Sequence, residues 1–312
     1  MAHDPQVAGY PLGPPEMVRH IEQTTVARPV TKRGVGLHTG APCAVTLQPA
    51  APSTGIAFVS EDGATIPAAA GSVSDTQRGT TLRFGAAAVG CVEHLMAALY
   101  GLGVDNVLAE VTGPELPACD GSAREWVGLI AEAGLAPLGA PRRVAKLSSP
   151  LWVGDESGWA VALPGDARSS ALRAGGLRLA LSVHYRDTIA DAQSLWLRLT
   201  PRRFARELAP ARTFVMEREL QGLRELGLAR GGSEDNAFVV GRDGYSGELR
   251  FPDEVVRHKA LDLVGDLALC GWRFGGTIVA VRPSHRTNVA LAGALRAHFE
   301  AALAEQKAVG RS

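Results

Sequence analysis

The sequence predicts an α+β fold in two halves, and three observations carry that expectation. Short alternating stretches bounded by Gly and Pro, such as "CAVTLQP" at 43–49 and "TGIAFVS" at 54–60, read as strands joined by turns. Helical spacing stands among them, as in "VEHLMAALYGLG" at 92–103. The Pro- and Gly-rich stretch "APLGAPRR", residues 136–143, follows neither period and reads as a domain boundary. Strands and helices are mixed on both sides of it, without the regular alternation of a doubly wound sheet. No repeat is visible in the sequence, so any kinship between the halves has to be structural.

Taken in chain order, residues 1–17 are Pro-rich, lack an apolar run and read as a disordered tail rather than a signal peptide or anchor. The first domain is placed at 18–137. Its strands between Thr25 and Phe58 are followed by the 92–103 helix, whose Leu95, Ala98, Leu99 and Leu102 share a face and which stops at Gly101 and Gly103. "DNVLAEVTGP" reads as a strand, and "SAREWVGLIAEAGL" as a helix with Ser122 as N-cap and Gly134 at its end. The second domain is placed at 143–312. "GWAVALPG", "GLRLALSVHY" and "GTIVAVRPS" read as strands, and "TPRRFARELAPAR" as a helix with Thr200 as N-cap and Pro201 at its first position. Thr213 falls in a loop between helical stretches, and His285 falls just after a strand, where its side chain can project toward a cleft.

Composition narrows the function. A chain of 312 residues with 46% hydrophobic and 21% charged content can bury a sizeable core. Lys plus Arg and Asp plus Glu are equal at 32 each, so no overall basic field is available to hold a phosphate backbone, and nucleic acid is not expected as a partner. Cys43, Cys91, Cys119 and Cys270 lie far apart without a C-x-x-C pair, which argues against a disulfide framework or thiolate metal knot and fits a reducing cytoplasm. No stretch approaches the roughly 20 apolar residues of a membrane span.

The chemistry concentrates in "VRHKALDLVGD", residues 256–266. At about 100° per residue, His258, Asp262 and Asp266 fall within an arc of roughly 80°, while Val256, Leu263 and Leu267 cluster opposite. An imidazole and a carboxylate one turn apart can reach one metal ion. Alone, the pattern is better described as a solvated helix face with an i, i+4 pair. Glu93 and His94 at the start of another helix add a third ligand with an adjacent carboxylate, and a catalytic zinc needs three protein ligands and one open position. His285 and the Thr213 hydroxyl complete the set.

The motifs together resemble the family of UDP-3-O-acyl-N-acetylglucosamine deacetylases, zinc amidases of lipid A biosynthesis. The stretches that carry the resemblance are "GVGLHTG" (34–40), "VEHLMAALYGLGVDN" (92–106), "GPELPACDGSA" (113–123), "ARTF" (211–214), "GLARGGSEDNA" (227–237) and "LRFPDEVVRHKALDLVGDL" (249–267). The resemblance implies two domains, each a small sheet with two helices, in a β-α-α-β sandwich with the helices packed between the sheets. It implies one Zn²⁺ on His94, His258 and Asp262, although a His₂Asp set also suits iron. It implies Glu93 as general base, Thr213 and a protonated His285 as oxyanion partners, His285 as the acid toward the leaving amine, and Asp266 as its orienter. Lys259 would meet the charge of the UDP-linked acylated amino sugar, and Phe214, Leu37, Leu220 and Ala229 would line an acyl passage. Each buried CH₂ contributes roughly 0.8 kcal/mol before ordering is subtracted, so such a passage is worth building. A cytoplasmic monomer is expected.

Departures from the family pattern lie at Ser284, where a glycine with positive φ would leave serine strained, at Val215 and Met216 after "ARTF", at Cys91 in place of a hydroxyl residue, and at 165–195, which lacks a His-Pro pair. Two rival readings follow: a paralogous deacetylase for a different acylated nucleotide sugar, and a non-catalytic, metal-stabilised protein that binds the nucleotide sugar without releasing acetate.

Overall fold

The computed structural model describes residues 22–165 and 176–309. The tail expected at 1–17, the start of the first domain at 18–21 and part of the divergent 165–195 stretch lie outside the described residues. The strands, in order, are β1 (Glu22–Val26), β2 (Val30–Val35), β3 (Pro42–Pro49), β4 (Ile56–Val59), β5 (Thr65–Pro67), β6 (Val73–Asp75), β7 (Thr81–Phe84), β8 (Ala87–Val89), β9 (Val107–Thr112), β10 (Leu135–Pro141), β11 (Val144–Lys146), β12 (Leu151–Asp155), β13 (Gly158–Pro164), β14 (Leu177–Val183), β15 (Gln193–Arg198), β16 (Thr213–Met216), β17 (Ala237–Val240) and β18 (Arg273–Val281). The long helices are α1 (Glu93–Leu102), α2 (Arg124–Ala133), α3 (Glu254–Ala268) and α4 (His285–Val309).

Two mixed sheets organise the molecule. The first has the order β2-β3-β9-β4-β5 and the second β12-β13-β18-β14-β15, with β11 beside β18. In each, the strand that comes last in the chain enters the centre of its sheet, antiparallel to one hairpin (β3·β9, β13·β18) and parallel to a strand of the other (β4·β9, β14·β18). In each, one helix precedes that central strand (α1, α3) and one follows it (α2, α4). The kinship invisible in the sequence is therefore a repeated topology, and the class is the expected two-domain α+β sandwich.

Local patterning explains the layers. β14 buries every second residue, Leu177, Leu179, Leu181 and Val183, toward the helices, and β3 does the same with Cys43, Val45 and Leu47. α3 packs against α1, β14 and β15, while α4 packs against β12 and β13, so the helices fill the space between the sheets. Gly265 decides how closely α1 and α3 approach. A Cβ there would lie 2.0 Å from the Glu93 carbonyl oxygen, and only hydrogen fits.

Four local expectations need correction. Residues 136–143, read as following neither period, are mostly strand: Leu135–Pro141 pairs with β1, its register irregular between Glu22 and Thr24. Ser122 lies one residue before the N-cap of α2, which is Ala123, although its Oγ still accepts from the Arg124 amide (3.2 Å). The 200–212 segment is helical only as a turn, Pro201–Arg203, running into a π-helical turn, Phe204–Leu208; Thr200 does cap it, accepting from the Arg203 amide. Thr213 begins β16, which pairs in parallel with β17, so it is not in a loop. All four cysteines are free, and among the described residues no helix is long and apolar enough to cross a membrane.

Candidate active site

α3 is buried almost all round, leaving only Arg257 and Lys259 half-buried, so its polar face is not the solvated stripe that a helical wheel suggests. His258 (3% exposed), Asp262 (2%) and Asp266 (0%) point into the interior, toward α1 and α4. Isolated charges in such a place would be costly; they persist because each has a partner. α1 supplies the complement. Glu93 is its first residue, where a carboxylate suits the helix dipole, and His94 its second. The chain enters this helix through Cys91, held at φ 55°.

The donor atoms of His94, His258 and Asp262 all lie within 4.8 Å of one another. Asp262 Oδ1 stands 3.5 Å from His94 Nε2 and 3.4 Å from His258 Nε2, and the two rings meet edge to face with centroids 5.0 Å apart. Bonds of about 2.1 Å to a tetrahedral ion would separate its donors by about 3.4 Å, so the spacing fits. The hydrogen bonds point the same way. Asp262 Oδ2 accepts from Lys259 Nζ (2.7 Å), but among the described residues the buried Oδ1 has no hydrogen-bond partner. His258 Nδ1 is 3.1 Å from the Ala211 carbonyl, which only accepts; the proton is therefore on Nδ1 and the Nε2 lone pair faces Oδ1. An orphaned buried carboxylate oxygen facing two imidazoles could hold a divalent cation.

The electrostatics agree. Burial works against charge on Asp262, yet the Lys259 ammonium and the His94 ring beside it hold its carboxyl well below the usual range. Burial pushes His258 down to about 3, which keeps its ring neutral and able to bind metal. Burial also opposes charge on His94, but Asp262 and Glu93 outweigh it and raise its pKa. The anionic field that favours a proton there would favour a cation in its place. Lys259 is likewise raised, burial being outweighed by Asp262 and Tyr185.

His285, four residues past the end of β18 and the first residue of α4, closes the site from the other side. Its Nδ1 donates to Asp266 Oδ2 (2.9 Å), while its Nε2 lies 3.9 Å from Asp262 Oδ2. Burial disfavours the imidazolium, but the Asp266 charge and hydrogen bond lift its pKa to about 9. Glu93 is 5% exposed, and its Oε2 accepts from the Thr80 amide (2.9 Å). Glu93, His94, His258, Asp262 and His285 line a cavity of about 430 Å³ together with Thr213, Phe214, Lys259 and Leu37. Leu220 and Ala229, the other two residues assigned to an acyl passage, are not in its lining; Ala229 belongs to a loop whose Arg230 and Gly231 amides donate to the His38 and Leu37 carbonyls.

Sequence reasoning missed several participants. Glu115, within "GPELP", accepts from the Thr39 amide (2.7 Å), the Thr39 hydroxyl (2.5 Å), the His38 amide (3.3 Å) and Cys91 Sγ (3.3 Å), and so pins the "GVGLHTG" loop to the approach of α1. Arg212 of "ARTF" binds fully buried Glu254 at the start of α3, and Arg250 of "LRFPDE" binds Asp120 of "ACDGSA" (2.9 Å). The quoted motifs thus hold one another in place. A signal for this existed in their acidic and basic residues, but not for which would pair. Thr80 and Asn288, both buried against Asp266, carried no signal.

A buried His₂Asp donor set with an adjacent carboxylate and a histidine–aspartate pair, opening on a cavity between two α+β layers, defines the class as a metal-dependent hydrolase. Comparison with known families narrows it. The family model described as LpxC, UDP-3-O-acyl N-acetylglycosamine deacetylase, matches residues 23–297. Proteins named UDP-3-O-acyl-N-acetylglucosamine deacetylase are 42% identical over 274 residues in Anaeromyxobacter dehalogenans (86% of this chain, 85% of that one). The corresponding figures are 42% over 277 residues in Thermosynechococcus vestitus (88% and 93%) and 40% over 274 in Chlamydia felis (86% and 95%). The chain belongs to the UDP-3-O-acyl-N-acetylglucosamine deacetylase family.

Proposed function

We propose that this protein hydrolyses the N-acetyl group of UDP-3-O-acyl-N-acetylglucosamine, giving acetate and the free amine, with the residues above in the following roles. The observation that carries the reading is the orphaned Asp262 Oδ1 between two imidazole Nε2 atoms, beside a carboxylate and a charged histidine. His94, His258 and Asp262 hold the metal, for which zinc suits the mixed nitrogen and oxygen donors. When bound, such an ion supplies Lewis acidity to the amide carbonyl and makes water acidic near neutral pH.

The chain's own groups do the rest. Thr80 occupies Glu93 Oε2, so Oε1 is the atom that takes the proton of the attacking water. Thr213 and His285 line the cavity where negative charge develops on the carbonyl oxygen, and the hydroxyl of the one and the imidazolium of the other donate to it. As the carbon–nitrogen bond breaks, His285 Nε2 gives its proton to the amine; Nδ1 stays on Asp266, which keeps the ring oriented. Lys259 is committed to Asp262 Oδ2 and also lies 6.0 Å over the Phe214 ring, so it serves the metal ligand as well as meeting the charged substrate. Phe214 and Leu37 offer apolar walls to the acyl chain.

Acetate release with metal analysis on the same preparation tests this reading. Glu93→Gln should keep the metal and lose on the order of 10²–10⁴ in kcat, whereas His258→Ala should lose the metal. Glu93→Gln at wild-type turnover would remove Glu93 as the base. A wild-type protein that binds the UDP-sugar, carries metal and releases no acetate would leave the binding-protein reading or a deacetylase for a different acylated nucleotide sugar.

A further inference from the structure

Thr80 lies between the two proton-handling groups and is itself wholly buried. It ends the loop before β7 and touches three elements. Its amide donates to Glu93 Oε2 (2.9 Å), and its carbonyl accepts from the Val92 amide (3.2 Å) at the entry to α1. Its hydroxyl donates to Asp266 Oδ1 on α3 (2.6 Å). Asp266 Oδ2 takes the His285 Nδ1 proton (2.9 Å) and the Asn288 amide (2.9 Å), both from α4. The fully buried Asp266 thus receives three donors, and the Thr80 hydroxyl is the only one of them on Oδ1 among the described residues.

We infer that Thr80 is a positioning residue for catalysis, its hydroxyl fixing the plane of the Asp266 carboxylate and through it the direction of His285 Nε2, while its backbone fixes Glu93. The inference rests on the roles given to Glu93 and His285 above. A carboxylate can turn about its last bond. With one oxygen holding two donors from α4 and the other unheld, Asp266 would rotate and carry the imidazole with it. Thr80 Oγ1 also lies 3.3 Å from His285 Nδ1, within reach of the ring that it would steady. Because a misplacement of about 1 Å can lower a rate about 10²-fold, one buried hydroxyl is enough to matter.

The experiment is a double-mutant cycle on the metal-loaded full chain, using Thr80→Val, Thr80→Ser, His285→Ala and Thr80→Val with His285→Ala. Readouts are kcat and KM for acetate release, metal content and melting temperature. Thr80→Val should lose about 10- to 100-fold in kcat, with KM within about threefold and metal content unchanged, and Thr80→Ser should recover most of the loss. On the His285→Ala background, Thr80→Val should cost nothing further, because the group it acts through is gone. Wild-type kcat in Thr80→Val, full additivity with His285→Ala, or loss of metal would each overturn the inference. Should Thr80→Val not fold, Thr80→Ala takes its place; failure of both, with Thr80→Ser folded, would assign Thr80 a structural role and overturn it too. His285→Ala alone at wild-type kcat would instead overturn the reading of His285, which keeps the two failures apart.

Discussion

Ser284 stands directly before His285, and the strain expected there is absent. Its φ is not in the left-handed region. Instead Ser284 caps α4: its Oγ accepts from the Thr287 amide (3.2 Å) and lies 2.9 Å from the Thr287 hydroxyl, while its carbonyl accepts the first helical bond, from Asn288. A serine in this place therefore gives the helix that begins with His285 a defined start. Ser284→Ala is expected to lower stability by about 1 kcal/mol and Ser284→Gly by only a few tenths. Urea denaturation measures both; equal losses would mean that the hydroxyl is not the cap. The same residues show what a sequence can reveal at this scale. His258, Asp262 and Asp266 were legible because one helix sets them at i, i+4 and i+8, a spacing that predicts a shared face before any fold is known. Thr80 and Asn288 were not, since each is a neutral side chain whose importance comes wholly from a carboxylate far away in the chain. The conformation of Ser284 was not legible because it depends on the helix that follows.

Between elements, the decisive contact is α1 against α3. Their approach at Glu93 and Gly265 brings His94 beside His258 and Asp262, and it leaves no room for a Cβ. In Gly265→Ala the new methyl would meet backbone, which cannot turn aside as a side chain can. The helices have to separate by roughly 1 Å, more than a bond length of about 2 Å tolerates when donors sit on both. Metal content should fall sharply and acetate release with it. Gly128→Ala on α2, where nothing lies within 4 Å, is the control, and there the higher helix propensity of Ala should raise stability by up to about 1 kcal/mol. If Gly265→Ala keeps full metal, the close approach is not what assembles the site. The main strands and helices of both halves were readable from period and punctuation. What escaped was pairing that depends on distant partners. "TFVM" has no alternation and becomes β16 only because "AFVV" lies parallel to it. "LAPLGAP" looks like a linker and becomes β10 only because the chain's beginning returns beside it.

At the scale of the molecule, the repeated topology places α1 and α3 in equivalent positions, each before the central strand of its sheet, and the site forms where the two equivalents meet. Nothing in the amino-acid pattern announces this, because strand order and direction are set by pairing rather than by composition. What holds the two halves in register is a knot at the far end of α1. Asp105 accepts from Arg142 Nε (2.8 Å) and from Arg273 Nε (3.0 Å) on β18, and also from the Thr24 amide (2.9 Å). The same arginines close the C-terminal carbonyls of α1, Arg273 reaching Tyr100 O (2.6 Å) and Val104 O (3.1 Å) and Arg142 reaching Gly103 O (2.8 Å). All three charged side chains are between 11% and 14% exposed, and Arg142 is pushed down by burial and then by the Arg273 charge. Asp105→Asn keeps the size of the side chain but leaves two neighbouring, largely buried cations without their anion, a change that should destabilise the fold by about 3 kcal/mol. Because α1 carries Glu93 and His94 at its other end, freeing its C-terminus should loosen the metal centre before the whole chain unfolds. In a urea titration of the metal-loaded variant, metal release should precede the loss of helical circular dichroism, whereas in the wild type the two should coincide. Coincident transitions in both proteins would show that α1 is held in place by its packing on α3 alone.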